Sequence, residues 1–270
     1  MTNFCILISS CDNYSDLWEN HLTLFFKNWE GPLPHIILLT DKSTTYKVDG
    51  VDVLVVEEQD FPTRLHIACD MIKEEFIMVT LDDYYLVDTT NAKYFNYFVE
   101  HCQSENVDYL SVYNRKFTKK RFYTSHEEIS PIELNYPYNV NLYPAIWRRD
   151  YLKKCTECAG TPWAFEPNLT FISRDLGGRC FYNISGTFNI LDVVRKGKLL
   201  NKAYRYLKKN QMIIPQRKRA SVWMEAKESI ANFLSWKLPR PLYRFIRKVA
   251  IFFGMKSYSE TAYKNHSKKK

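Results

Sequence analysis

Five short apolar runs, each bounded by polar or turn-forming residues, punctuate the first half of the chain. Their β-branched and aromatic content predicts strands over residues 4–9, 35–40, 51–56, 76–81 and 109–113. Between them the period changes. In 16–29, Leu17, Trp18, His21, Leu22, Leu24, Phe25 and Trp29 recur at close to helical spacing, and Gly31-Pro32 stops the pattern. A second helix is predicted over 62–75, with Pro62 in its first turn and Leu65, Ala68, Cys69 and Ile72 on one face. A third covers 91–103. Strands alternating with helices in this way make βαβ units around a mostly parallel sheet.

From Lys116 to Pro144 the periodicity fades into mixed Tyr, Pro, Asn and charge, the pattern of a long loop of the kind that shapes an acceptor site. A helix is expected over 147–155, a turn at Gly160-Thr161-Pro162, and a helix again over 199–210. No internal repeat and no apolar run of the ~20 residues needed to span a bilayer is present.

At 46% hydrophobic and 25% charged, 270 residues hold enough apolar material for one large domain with an appendage, which excludes a wholly disordered chain. The net charge of +8 is unevenly placed: 216–270 carries fourteen Lys and Arg against three acids, a net of +11, leaving −3 for 1–215. The boundary is therefore drawn between an α/β domain, 1–215, and a basic tail, 216–270. Within 242–255, Leu242, Phe245, Ile246, Val249, Phe252 and Phe253 fall at helical spacing beside Arg244, Arg247 and Lys248, an amphipathic helix suited to an anionic membrane surface. At ~1.5 Å per residue it is too short for the ~30 Å hydrocarbon core and would lie flat. Its one-sided aromatic stripe favours lipid over nucleic acid. Packing against the α/β domain is the alternative.

The seven cysteines are scattered and odd in number, which fits reduced thiols in the cytoplasm. Cys155 and Cys158 form the single close pair, and no further ligands stand at zinc-site spacing. The chain runs from Met1 directly into a strand-like segment, unlike a secretory leader. The eight glycines build neither G-x-x-x-x-G-K-[ST] nor G-x-G-x-x-G, so a P-loop ATPase and a dinucleotide oxidoreductase are excluded.

The sharpest chemical feature is the apolar run 76–81 ending in Asp82-Asp83. Ligands of open α/β sheets bind beyond the carboxyl ends of the strands, where a metal–diphosphate site is expected. Adjacent strand residues point to opposite faces, so the two acids divide their roles unless the chain turns there. Asp83 is the candidate ligand for Mg²⁺ or Mn²⁺, with Asp82 toward a ribose; a solvated turn is the competing reading. After the first predicted strand, Ser9-Ser10-Cys11-Asp12-Asn13-Tyr14 offers polar groups for a nucleobase and ribose and a ring, Tyr14, to stack on the base. Such residues also cap helices. Arg64, in the first turn of its helix, reaches a nucleotide or pairs with a nearby acid.

Taken in order, Cys11-Asp12-x-Tyr14-x-Asp16-Leu17-Trp18, Thr63-Arg64-Leu65, Leu81-Asp82-Asp83-Tyr84, the segment from Tyr143 through Trp147-Arg148-Arg149-Asp150 to Leu152, and Pro162-Trp163-Ala164-Phe165-Glu166 resemble a family of bacterial capsular and cell-surface polysaccharide glycosyltransferases with the GT-A fold. The resemblance covers roughly residues 4 to 210. The usual signature of that fold is Asp-x-Asp, and Leu81 stands at its first position. The resemblance implies a GT-A-like, Rossmann-like α/β domain whose mostly parallel sheet is flanked by helices. It implies an inverting transfer from a nucleotide-sugar donor, with Glu166 as the base that deprotonates the acceptor hydroxyl. Trp163 and Phe165 would partly desolvate that carboxylate, and Trp147 and Trp163 would stack on sugar. Arg195 and Lys198 lie where similar enzymes place cations over the diphosphate. A peripheral cytoplasmic enzyme acting on a lipid-linked or oligosaccharide acceptor is the coherent whole. Two rivals remain: a nucleotidyltransferase, which would open with a Gly-rich, basic loop that 9–14 lacks, and a non-catalytic membrane-bound assembly factor.

Overall fold

A computed structural model describes residues 3–113, 129–157, 162–183, 187–237 and 242. The chain divides into two compact units, 1–191 and 192–270. The first is built on an eight-stranded sheet of β1 (Phe4–Ser9), β2 (His35–Thr40), β3 (Val51–Val55), β4 (Phe76–Leu81), β5 (Tyr109–Ser111), β6 (Ile129–Pro131), β7 (Ala145–Arg148) and β8 (Cys180–Asn183). Their order is β3-β2-β1-β4-β7-β5-β8-β6. β1 to β4 run parallel, as do β5 and β8, whereas β7 is antiparallel to both its neighbours and β6 to β8.

The twofold alternation of strand side chains splits the interior in two. Phe4, Ile6 and Ile8 of β1 face Trp18, Leu22 and Phe25 of α1 (Trp18–Asn28) and Phe95, Phe98 and Val99 of α3 (Ala92–Ser104). Cys5 and Leu7 face the other way, into a cluster with Phe61 and Leu65 of α2 (Phe61–Met71), Leu152 of α4 (Arg149–Cys155) and Phe165 and Leu169 of α5 (Pro162–Asp175). With helices on both faces, β1 is buried along its whole length, which is why it reads as one continuous apolar run. Burying each large apolar side chain of this kind contributes about 1.5–3 kcal/mol. Helix starts follow local chemistry. Asp60 accepts from the Thr63 N–H at 3.1 Å with Pro62 behind it, and Asn91 accepts from the Lys93 N–H at 2.9 Å.

The predicted helix over 147–155 is corrected to a strand followed by a helix. Ala145, Ile146 and Trp147 are held on both sides by β4 and β5, and helical φ/ψ begins only at Arg149. Strands β6 and β8 were not expected at all. Residues 114–128, which include the first part of the predicted acceptor loop, lie outside the described residues.

The second unit contains a short hairpin, Val194–Arg195 with Lys198–Leu199, whose turn residues Lys196 and Gly197 both adopt positive φ, then α6 (Asn201–Lys209) and α7 (Val222–Lys237). This unit begins at Asp192 and takes in both 192–215 and the start of the basic tail. The physical reason is hydrogen bonding: Leu199 N–H donates to Lys218 O at 3.0 Å, Ala220 N–H to Leu199 O at 2.8 Å, and Asn201 N–H to Glu225 Oε1 at 2.7 Å. Arg219 also sits 4.2 Å over the Tyr204 ring. The start of the basic tail is thereby knitted to 192–210. Of the 242–255 stripe only Leu242, which is exposed, lies among the described residues. No helix among the described residues is long and apolar enough to cross a membrane.

Candidate active site

The direction of strand addition reverses between β1 and β4. β1 leads outward to β2 and β3, and the chain then crosses back to lay β4 on the opposite side of β1. The crevice beyond the carboxyl ends at such a switch is where open α/β sheets bind ligands. Ser9-Ser10 and Asp82-Asp83 meet at this point.

Asp82 is tied down. Ser10 Oγ–H donates to its carboxylate, Trp18 Nε1–H donates to Ser10 Oγ at 2.6 Å, and His21 Nδ1–H donates to the Asp82 carbonyl at 3.1 Å. Asp82 is only 6% exposed. Burial of His21 on the inner face of α1 pushes its pKa down to about 4, so at neutral pH the ring is uncharged with its proton on Nδ1. Asp83 is half-buried and shares with Asp82 a turn between β4 and a short strand, Tyr84–Leu86. The chain thus turns at the two acids, the condition under which strand alternation no longer separates them.

On the α2 side, Asp41 follows β2 directly and is 6% exposed. It accepts from the Asp12 N–H at 2.6 Å and from Gln59 Nε2 at 3.4 Å. Arg64 Nη1 lies 3.9 Å from Asp41 Oδ2 and donates to Glu58 O at 3.1 Å. Arg64 Nε–H is buried and has no partner among the described residues. A desolvated carboxylate beside a guanidinium with a spare donor presents acceptor and donor together, the pattern that pairs with a nucleobase edge. Asp41 was missed from sequence; its signal, an acid directly after an apolar strand, is the same one that marked Asp82.

The remaining expected residues fall as follows. Half-buried Cys11 has its thiol pKa raised, first by burial and then by the Asp82 and Asp41 carboxylates, so it stays protonated. The Asp12 carboxylate reaches Lys42 Nζ at 3.0 Å in an exposed pair. Half-buried Tyr14 sits in the 3-10 turn after β1, its N–H donating to Cys11 O at 2.9 Å. Glu166 is in α5, and its Oε1 accepts from the Leu142 N–H at 3.2 Å. The next residue, Tyr143, stacks at 5.0 Å on Tyr84, which follows Asp83. Trp147 is corrected: it is 1% exposed and packs on Tyr109 and Tyr151 inside the core, because antiparallel pairing aims it to the α4 and α5 side. The Trp163 side chain lies outside the described residues. Arg195 and Lys198 belong to the second unit, where Arg195 pairs with Asp192 and Lys198 is exposed. Among the described residues no group of three His, Cys, Asp or Glu side chains is placed to hold an ion by itself.

Staphylococcus aureus TarS in complex with UDP-GlcNAc superposes on this chain with a TM-score of 0.52 at 14% identity, over 74% of this chain and 60% of that one. The fold is GT-A-like. The chain spans about 60% of the length of the TarS structure it matches. Looser matches are the Pyrobaculum calidifontis mannosyltransferase in complex with GDP-Man and Mn²⁺ (TM-score 0.47, 12% identity, 96% of this chain and 83% of that one). Another is CMP:2-keto-3-deoxy-manno-octonic acid synthetase with CTP (TM-score 0.44, 10% identity, 77% and 99%). These neighbours are glycosyl and nucleotidyl transferases. No family model and no curated protein matches the sequence.

Proposed function

We propose that this chain is a glycosyltransferase that moves a sugar from a nucleoside-diphosphate sugar to a lipid-linked or oligosaccharide acceptor in cell-surface polysaccharide synthesis. The observation that carries the reading is the pairing, at one switch point, of Asp82-Asp83 with a buried Asp41–Arg64 couple. The couple suits a nucleobase edge, and the strand-end acids suit a ribose and a diphosphate. Hard carboxylate oxygens at a strand end fit Mg²⁺ or Mn²⁺, which takes one or two carboxylates and completes its shell with phosphate oxygens and water. Asp83 is the residue to hold it, and the ion when bound would neutralise charge on the leaving diphosphate.

Transfer then forms a bond between the acceptor oxygen and the sugar's anomeric carbon as the bond to the diphosphate oxygen breaks. The acceptor proton passes to Glu166, and the diphosphate leaves with the electron pair. The Leu142 N–H at 3.2 Å fixes the Glu166 carboxylate against the segment that carries Tyr143. The membrane part of the reading, a peripheral enzyme on the cytoplasmic face, is supported by the +11 tail and by Val222 and Trp223, 76% and 74% exposed just beyond Arg217-Lys218-Arg219.

A screen of nucleotide sugars for donor hydrolysis by the full chain, with and without Mn²⁺, tests it. Release of free sugar from one donor supports the reading. Pyrophosphate release from a nucleoside triphosphate and a sugar phosphate, with no donor hydrolysed, overturns it in favour of a nucleotidyltransferase.

A further inference from the structure

Beyond β4, on the side away from β1, three tyrosines from three adjacent strand ends stand in one stack. Tyr84 and Tyr143 have ring centroids 5.0 Å apart with planes at 5°, and Tyr143 and Tyr113 have centroids 4.7 Å apart with planes at 10°. The spacing has a simple origin. Ala145 of β7 is in register with Val79 of β4 and with Ser111 of β5, so Tyr143, two residues earlier, lies between the chain leaving β4 and the chain leaving β5. Tyr143 and Tyr113 face each other across neighbouring strands, which lie ~4.8 Å apart, and the turn at Asp82-Asp83 brings Tyr84, the first residue of the short strand that follows β4, onto the other face of Tyr143. All three are half-buried.

The stack starts immediately after Asp83 and runs away from the β1–β4 crevice, while Asp41 and Arg64 lie on the opposite side of that crevice, beyond β2 and on α2. Glu166 is joined to its middle, since the Leu142 N–H that it accepts from precedes Tyr143. Aromatic rings bearing hydroxyls give a pyranose both C–H contact and hydrogen bonds. We infer that the Tyr84–Tyr143–Tyr113 stack is the acceptor subsite, holding a sugar ring of the glycan acceptor on the far side of Asp83 from the nucleotide. The inference rests on the glycosyltransferase reading above and adds the residues that select the acceptor.

The test uses p-nitrophenyl glycosides of glucose, galactose and N-acetylglucosamine at millimolar concentration, bound to the full chain and followed by saturation-transfer NMR. Binding is expected for at least one of them, undiminished by UDP or GDP. Tyr143→Leu, which breaks the stack at its centre, should weaken that binding by about three- to tenfold. Tyr84→Phe and Tyr113→Phe keep the packing and remove hydroxyls; together they should lower the affinity by a smaller factor with an unchanged circular-dichroism spectrum. Nucleotide affinity should not move in any variant. The inference is overturned if no glycoside binds the wild-type chain, if UDP or GDP displaces the glycoside, or if folded Tyr143→Leu binds it as well as wild type. Glycoside binding that depends on the tyrosines in a chain that binds no nucleotide sugar would sink the donor reading and leave the subsite standing.

Discussion

Lowering the pH loads the bond that anchors Asp82. His21 is buried, and its pKa falls from 6.5 to about 4 because burial penalises the charged ring. In the unfolded chain the same imidazole titrates near 6.5. Above that value both states are neutral and the group has no effect. As the pH falls from 6.5 toward 4 the unfolded state takes up a proton that the folded state refuses, so stability is lost across this window. One pKa unit is worth 1.36 kcal/mol, so the full loss is ~3 kcal/mol, most of it reached by about pH 4.5. Other groups titrate over the same range, and a variant isolates His21. His21→Asn keeps a donor for the Asp82 carbonyl and cannot ionise. Urea unfolding of both proteins at about pH 7.5 and about pH 4.5 should show the wild type losing ~2–3 kcal/mol relative to His21→Asn between the two. A stability difference that stays constant with pH would refute a buried neutral His21 beneath Asp82.

Glu166→Gln keeps an oxygen for the Leu142 N–H and removes the proton acceptor, so turnover should fall ~10² to 10⁴-fold with donor affinity nearly unchanged, as stopped-time product assays would register. A Cβ at Gly178 would overlap the phenol of buried Tyr151, and Gly178→Ala should therefore lower unfolding free energy by ~1–3 kcal/mol in a denaturant titration, without altering nucleotide affinity. Removal of residues 216–270 should abolish co-sedimentation with anionic liposomes, and high salt should release the full chain in part, since each basic residue contributes ~1 kcal/mol that salt screens. Because Leu199 and Asn201 hydrogen-bond to Lys218, Ala220 and Glu225, that truncation should also loosen α6, visible as lost amide protection, whereas a cut after Lys237 should not.

The strands that read clearly from sequence were those whose signal is local. β1, β2 and β4 are built around near-continuous apolar runs, Phe4–Ile8, Ile36–Leu39 and Phe76–Val79, because a strand covered on both faces buries the side chains of both its faces. β7 was read into a helix because its strand character comes from β4 and β5, which lie more than thirty residues away in the chain, and no Gly or Pro separates it from Arg149–Cys155. The same holds at the site. Asp82-Asp83 stood out as a doublet closing a strand, and Arg64 was singled out with an acid as its alternative partner; Asp41, that acid, closes a strand in the same way but singly, and its pairing appears only when α2 brings Arg64 to it. Trp147 carried the aromatic signal of a sugar platform, yet the rings stacked beyond the strand ends are Tyr84, Tyr143 and Tyr113, brought together by strand pairing and a turn rather than by sequence spacing.

Donor binding at the β1–β4 switch point is the centre of the account, and titration calorimetry of UDP-, GDP- and other nucleoside-diphosphate sugars into the full chain, with Mn²⁺ or with a chelator, tests it most directly. One donor should bind with Mn²⁺ and more weakly with chelator; Asp83→Ala should remove the difference between the two conditions, and Asp41→Asn should weaken binding in both. A donor that binds equally well to all three proteins, or the absence of binding by any donor under either condition, would contradict the placement of a nucleotide-sugar site at these strand ends.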